Sequence, residues 1–256
     1  MKKILALLLI ICCCLAVVSC KDKTGDGENA ASASDLERFT EMFASSVPTK
    51  SVVTSTVKAN SQEIVSVYTL TTGMIAGKTA SILESRETKL SAADNDQGNL
   101  DPFEETITKQ IYLEGQGVRI DKNGSKGRTW DDTRGDFAAK EGSISLDLNK
   151  KYFETMEFFK DGVNEKLVLT VAEDLDEENG YLKKVFGKYI PKEQPFGYET
   201  KITIIAAGGR ISNIVIESLD YEHFIGDEYD PIEISDTTIK IDVSYSYDIQ
   251  TNMTID

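Results

Sequence analysis

The chain has 256 residues, 28 Lys+Arg against 43 Asp+Glu, a single histidine and a net charge of −15. An acidic balance of this size excludes a domain that grips nucleic acid or an anionic lipid surface by its own charge, because both need basic patches. All 4 cysteines fall within the first twenty positions, so the rest of the chain has no internal disulfide and no cysteine metal site.

The first predicted element is a leader. Lys2 and Lys3 precede an unbroken apolar run, Ile4 to Leu15. Twelve residues are too few for a bilayer core, which needs about 20, and suit the apolar region of a secretory signal, about 7–15 residues. Cys12, Cys13 and Cys14 serve there as small hydrophobes. The run ends Val17-Val18-Ser19-Cys20. This resembles the lipobox of bacterial lipoproteins, with Val17 where leucine is usual. The resemblance implies cleavage between Ser19 and Cys20 and a diacylglyceryl group, palmitate-like, on the Cys20 sulfur. Two acyl chains anchor stably where one does not. The expected site is the extracytoplasmic face of the cell membrane. The alternative is an ordinary secretory signal or simple anchor with chance cysteines. Loss of Lys2 and Lys3 with the leader leaves a mature charge of −17.

Residues 20–34 follow as a lipidated cysteine and a polar tether. Lys21 to Ser34 (KDKTGDGENAASAS) has no large apolar residue, and such a segment cannot bury enough surface to order itself. Residues 35–256 then form one domain. A helix is predicted over Ser34–Ser46, with Ser34 and Glu37 at capping-box spacing and Leu36, Phe39, Phe43 and Val47 along one stripe.

Strands come next. SVVTSTVKA, EIVSVYTLTTG, TASILESRETKL and ETITKQIYLEG are β-rich runs, while Ala92–Glu105 between the last two reads as a loop. GVRIDKNGSKGRTW, centred on Asn123-Gly124, reads as a hairpin, and so does YFETMEFFKDGVNEKLVLTV, with Asp161-Gly162 at its turn. A second helix is predicted over Asp174–Phe186, acidic at its start and basic at its end, with Leu175, Leu182, Val185 and Phe186 facing the core. A third hairpin turns at Gly208-Gly209, and His223–Ser235 reads as a loop. From Ile239 to Ile249 apolar and polar residues alternate strictly, the signature of a strand with one wet face.

The chemistry-bearing residues are sparse. His223 has no cysteine or second histidine with which to build a zinc site, and there is no G-x-S-x-G elbow for it to serve. Asp121–Asp132 has oxygens at calcium-loop spacing, but Lys126 stands where glycine is needed and Asp132 where a bidentate glutamate is needed. A turn explains the same residues. Asp227, Glu228, Asp230 and Glu233 read as a solvated acidic loop, with weak cation binding as a minor option. Trp130 reads as core or sheet-edge packing rather than a sugar platform. Asn123 and Asn252 stand in glycosylation sequons, which carry no meaning in a bacterial lipoprotein. No metal, cofactor or catalytic set is expected, and the chain is not expected to be an enzyme.

The lipobox, the tether and the order helix, antiparallel strands, helix, closing hairpin resemble the LolA/LppX-like half-barrel carrier superfamily and related lipoproteins of Gram-positive bacteria. The resemblance implies a mainly β (α+β) domain, with a curved antiparallel sheet forming an open half-barrel and a few helices on its concave face. Acyl chains would bind between sheet and helices. The expected function is binding or carrying an apolar or amphiphilic, lipid-like ligand. The alternative is a non-catalytic structural or interaction module of the cell envelope with a packed core.

Overall fold

A computed structural model describes residues 23–24, 29–45, 47–59, 62–92, 100–127, 130, 144, 146–172, 181–189, 199–225, 232–248 and 253–254. The domain is mainly β. Short strands β1 (Lys23–Thr24) and β2 (Ala31–Ser32) precede helix α1 (Ala33–Ser45). Then come β3 (Lys50–Ala59), β4 (Gln62–Ile75), β5 (Lys78–Ala92), β6 (Leu100–Leu113) and β7 (Gly117–Lys122). After a crossover follow β8 (Phe153–Asp161), β9 (Asn164–Val171), the short helix α2 (Tyr181–Phe186), β10 (Glu199–Ala207), β11 (Arg210–Ile225) and β12 (Ile232–Ser246).

The ten strands β3–β12 make one antiparallel, open sheet in the order β7-β6-β5-β4-β3-β12-β11-β10-β9-β8. Two meanders thus meet at a central seam, where β3 pairs β12 from Lys50↔Ser246 to Lys58↔Thr238. The first meander runs outward from the seam and the second returns to it. Tight turns make this possible. Gly208 and Gly209 both hold positive φ, 57° and 77°, which the β10–β11 turn needs and glycine supplies at no steric cost.

The alternation read at the end of the chain decides which face is buried. Ile239, Ile241 and Val243 of β12 join Ile214 and Ile216 of β11, Ile202 and Ile204 of β10, Leu167 and Leu169 of β9, and Val53 and Val57 of β3 in one aliphatic cluster. This core face is covered by three elements. Helix α1 contributes Phe39 and Met42, and α2 contributes Tyr181, Leu182 and Phe186. The crossover contributes Ile144, Leu146 and Leu148. The Tyr181 hydroxyl donates to the Asp147 carbonyl at 3.0 Å, tying α2 to the crossover. Burial, with the nearby Asp147 and Tyr152 charges, pushes that hydroxyl up, so it stays protonated and remains a donor.

Four expectations change. Helix α1 starts at Ala33, not Ser34. The capping pair is Ser32 and Asp35: the Ser32 amide donates to Asp35 Oδ2 at 2.9 Å and the Asp35 amide to Ser32 Oγ at 3.3 Å. The helix stops at Ser45, ahead of Pro48, whose ring disfavours helix in the residue before it, so Val47 leaves the apolar stripe and is 82 % exposed. The end of the expected tether is docked: Ala31 is fully buried, Ala30 bridges Glu157, and the Phe158 amide donates to the Asn29 carbonyl at 2.8 Å. Both expected loops are partly strand, since β6 begins at Leu100 and β11–β12 extend through Ile225 and from Ile232. The Asn123-Gly124 turn follows β7, and Lys122 and Ser125 bridge across it with both amides donating; among the described residues the pairing goes no further, and β7 also pairs back onto β6. Residues 173–180, the start of the second expected helix, lie outside the described residues, as does the leader.

Edge management follows the same logic. An open strand edge invites pairing with other chains. On one side the N-terminal segment at Asn29–Ala30 covers β8. On the other, β7 ends where Asn123 closes the ladder, its amide donating to the Ile107 carbonyl at 2.8 Å and its Oδ1 accepting from the Ile107 amide at 2.9 Å. Beyond that point β6 carries Pro102 and a register shift, both of which discourage an added strand.

Candidate functional site

The core face does not end with the aliphatic cluster. Register carries it from β3 across β4, β5 and β6 in three rungs. Ser51 faces Leu70, Leu83 and Gln110; Val53 faces Tyr68, Ser85 and Thr108; Ser55 faces Ser66, Glu87 and Thr106. Leu70 and Leu83 form a second small cluster with Tyr68 and Tyr112. It is joined to the main core by Tyr189, just beyond α2, whose ring meets Tyr68 edge-on at 5.1 Å between centroids. The same face is therefore mostly aliphatic over β8–β12, where the buried hydroxyls of Thr200 and Ser218 satisfy each other at 3.2 Å, and mixed over β4–β6, where apolar and hydroxyl side chains lie one rung apart.

Among the described residues, Ser55 Oγ, on a residue 1 % exposed, and Gln110 Oε1 have no hydrogen-bond partner on the β3–β6 part of this face. A buried polar atom left unmatched costs about 1–3 kcal/mol. Sequence reasoning passed over Ser55, Ser66, Tyr68, Leu70, Leu83, Tyr112 and Gln110. The alternation within each strand was visible, but which strands adjoin was not.

The opposite, outer face carries an open groove of about 430 Å³ lined by Val67, Thr69, Glu84, Arg86, Ile107 and Lys109. Its charges are satisfied locally, Lys109 by Glu84 at 3.2 Å and Arg86 by Glu105 at 3.6 Å.

The calcium-spaced segment resolves into a structural clamp. Both Asp121 oxygens are taken: Arg119 Nε and Nη2 donate to them at 3.0 and 2.9 Å, and the Gly127 amide donates to Oδ1 at 2.7 Å. Trp130 lies against the Arg119 guanidinium, 5.5 Å from ring centroid to Cζ, which is the packing role expected of it. Gly127 sits so close that a Cβ there would lie 2.2 Å from the Ile120 carbonyl oxygen. Asp132 lies outside the described residues.

Burial pushes the Asp121 carboxyl up. The hydrogen bonds from Arg119 and Gly127 and the charges of Arg119 and Lys109 outweigh it and hold the group below its ordinary value of 3.8. The stabilisation is therefore present above that value and lost as pH falls through the lower folded value. Asp121→Asn should cost about 2–3 kcal/mol at neutral pH, as for hydrogen bonds to a charged group. Melting curves of the two proteins should stay apart from pH 7 down to about 4 and converge below it. A separation that persists at pH 2 would assign the loss to packing instead.

Of the other candidates, Ser19 and Cys20 precede the described residues, and Asp227, Glu228 and Asp230 fall outside them. His223 and Glu233 are placed on β11 and β12, where His223 pairs Ile234 and Glu233 pairs Phe224. No known family model matches the chain, and no curated protein is significantly similar to it.

Proposed function

We propose that the chain is a bacterial lipoprotein, anchored at Cys20 to the extracytoplasmic face of the membrane, that binds an apolar or amphiphilic, lipid-like ligand without catalysing a reaction. In this reading the sheet curls into an open half-barrel, the core face is its concave side, and the ligand lies between β4–β6 and the covering elements. One observation carries it. The core face changes character at β3–β4, from a sealed aliphatic core to a surface where Leu70, Leu83 and Tyr112 stand beside Ser66, Ser85 and Thr108. An amphiphile has the same two chemistries in sequence. Each methylene buried there contributes about 0.8 kcal/mol, and a polar head can meet the unmatched Ser55 hydroxyl.

Native mass spectrometry of freshly purified domain should show a co-purified lipid, and a fluorescent fatty acid should be displaced by unlabelled lipid. Leu83→Glu should abolish both signals while the β8–β12 core stays folded. Absence of binding in the native protein favours the second reading, an interaction module of the envelope. That reading has its own support in the fully buried Ile202, Ile204, Leu167 and Leu169, which leave the β8–β12 half packed.

A further inference from the structure

We propose that the edge of the sheet formed by β8 faces the lipid surface, so that the domain hangs from that edge and β7 points away; the inference rests on the reading of Cys20 as the anchor. Composition gives the anchor a tether reaching Ser34, yet β1 already pairs β2, with Lys23 opposite Ser32 and Thr24 opposite Ala31. Next to this pair the chain is fixed to β8 through Ala30↔Glu157 and the Phe158–Asn29 hydrogen bond. Three residue steps separate Cys20 from Lys23, a span of at most about 11 Å. Nine inter-strand steps of about 4.8 Å put β7 about 43 Å from β8 along the sheet, and about 27 Å across even where that arc bends into a half-circle. The anchor therefore holds one edge close to the headgroups and cannot hold the other.

The chemistry of that edge fits. Lys150, Lys151, Lys160 and Lys166 are exposed on the turn before β8 and on β8–β9, and they match Glu154, Glu157, Asp161 and Glu165 in number. The flank is thus uncharged overall in a chain of −15 and is not repelled by anionic headgroups. Two of these cations lie on rings, Lys151 on Tyr152 and Lys166 on Phe159, 4.6 Å from each centroid. Such amphipathic pairs are at home at a membrane interface.

The test uses a mature chain beginning at Cys20, whose only thiol is then Cys20 itself, coupled to maleimide lipid in vesicles of phosphatidylcholine and phosphatidylglycerol. Coupling supplies the anchor chemically, so the result does not depend on whether cells lipidate the residue. A tryptophan is placed at exposed Glu154 on β8 or at Ile120 on β7, against the constant background of Trp130. Brominated lipid should quench Glu154→Trp severalfold more than Ile120→Trp. Adding Thr24→Pro, which breaks β1 and leaves the chain tied to β8 only at Asn29 and Ala30, should narrow the difference. Equal quenching at both edges before that change, or stronger quenching at Ile120, overturns the proposal. Failure of Cys20 to be lipidated in cells overturns the anchor reading alone.

Discussion

Replacing Leu169 with alanine should remove about 3–4 kcal/mol of stability, within the range measured for buried leucine truncations. Leu169 is fully buried and faces Ile202 on one side and Met156 on the other, both also sealed, so the neighbours have little freedom to collapse into the gap. Domains of this size keep only about 5–15 kcal/mol in total, and about 2–4 °C of melting temperature goes with each kcal/mol. A fall of roughly 10 °C is expected on that scale. Leu83→Ala is the control. It lies in the small cluster with Leu70, 6 % exposed, and should cost about half as much. Equal losses at the two sites would show one continuous core and would remove the distinction between the sealed and mixed parts of the face.

Cys20→Ser should abolish incorporation of a fatty-acid analogue. The substitution deletes one sulfur and leaves the apolar run Ile4–Leu15 untouched. A signal peptide that merely stayed uncleaved would keep the variant on the membrane, whereas a thioether-linked lipid cannot form on serine. An unlabelled native protein, or a mature terminus elsewhere than Cys20, would overturn the anchor.

Local pattern carried much of the fold. The strict alternation from Ile239 to Ile249 identified the second half of β12 and its buried face, although the strand ends at Ser246, and Asp161-Gly162 and Gly208-Gly209 located two turns because backbone geometry favours glycine there. What failed was set by distant contacts. Ala31 looks like tether and is buried only because β8 lies beside it. The run LDPFE at the start of β6 is too polar to announce a strand, yet β5 pairs with it on both sides of a register shift at Phe103. SISLDLN has two-residue alternation, but short length and a neighbouring polar stretch hid Ile144, Leu146 and Leu148. The mixed face was hidden most completely, since Ser55, Ser66 and Leu83 become neighbours only through the pairing of three strands.

The central seam has a consequence in time. β3 is the first long strand made and β12 the last, and each is the other's partner in the middle of the sheet. At about 5–20 residues per second of synthesis, β3 waits roughly 10–40 s for its mate. Until then the first meander has one bare side and the domain cannot close. A chain with this wiring emerges from the ribosome with its central seam still open, and if it is exported as proposed, the order of its strands itself holds folding back until β12 has passed.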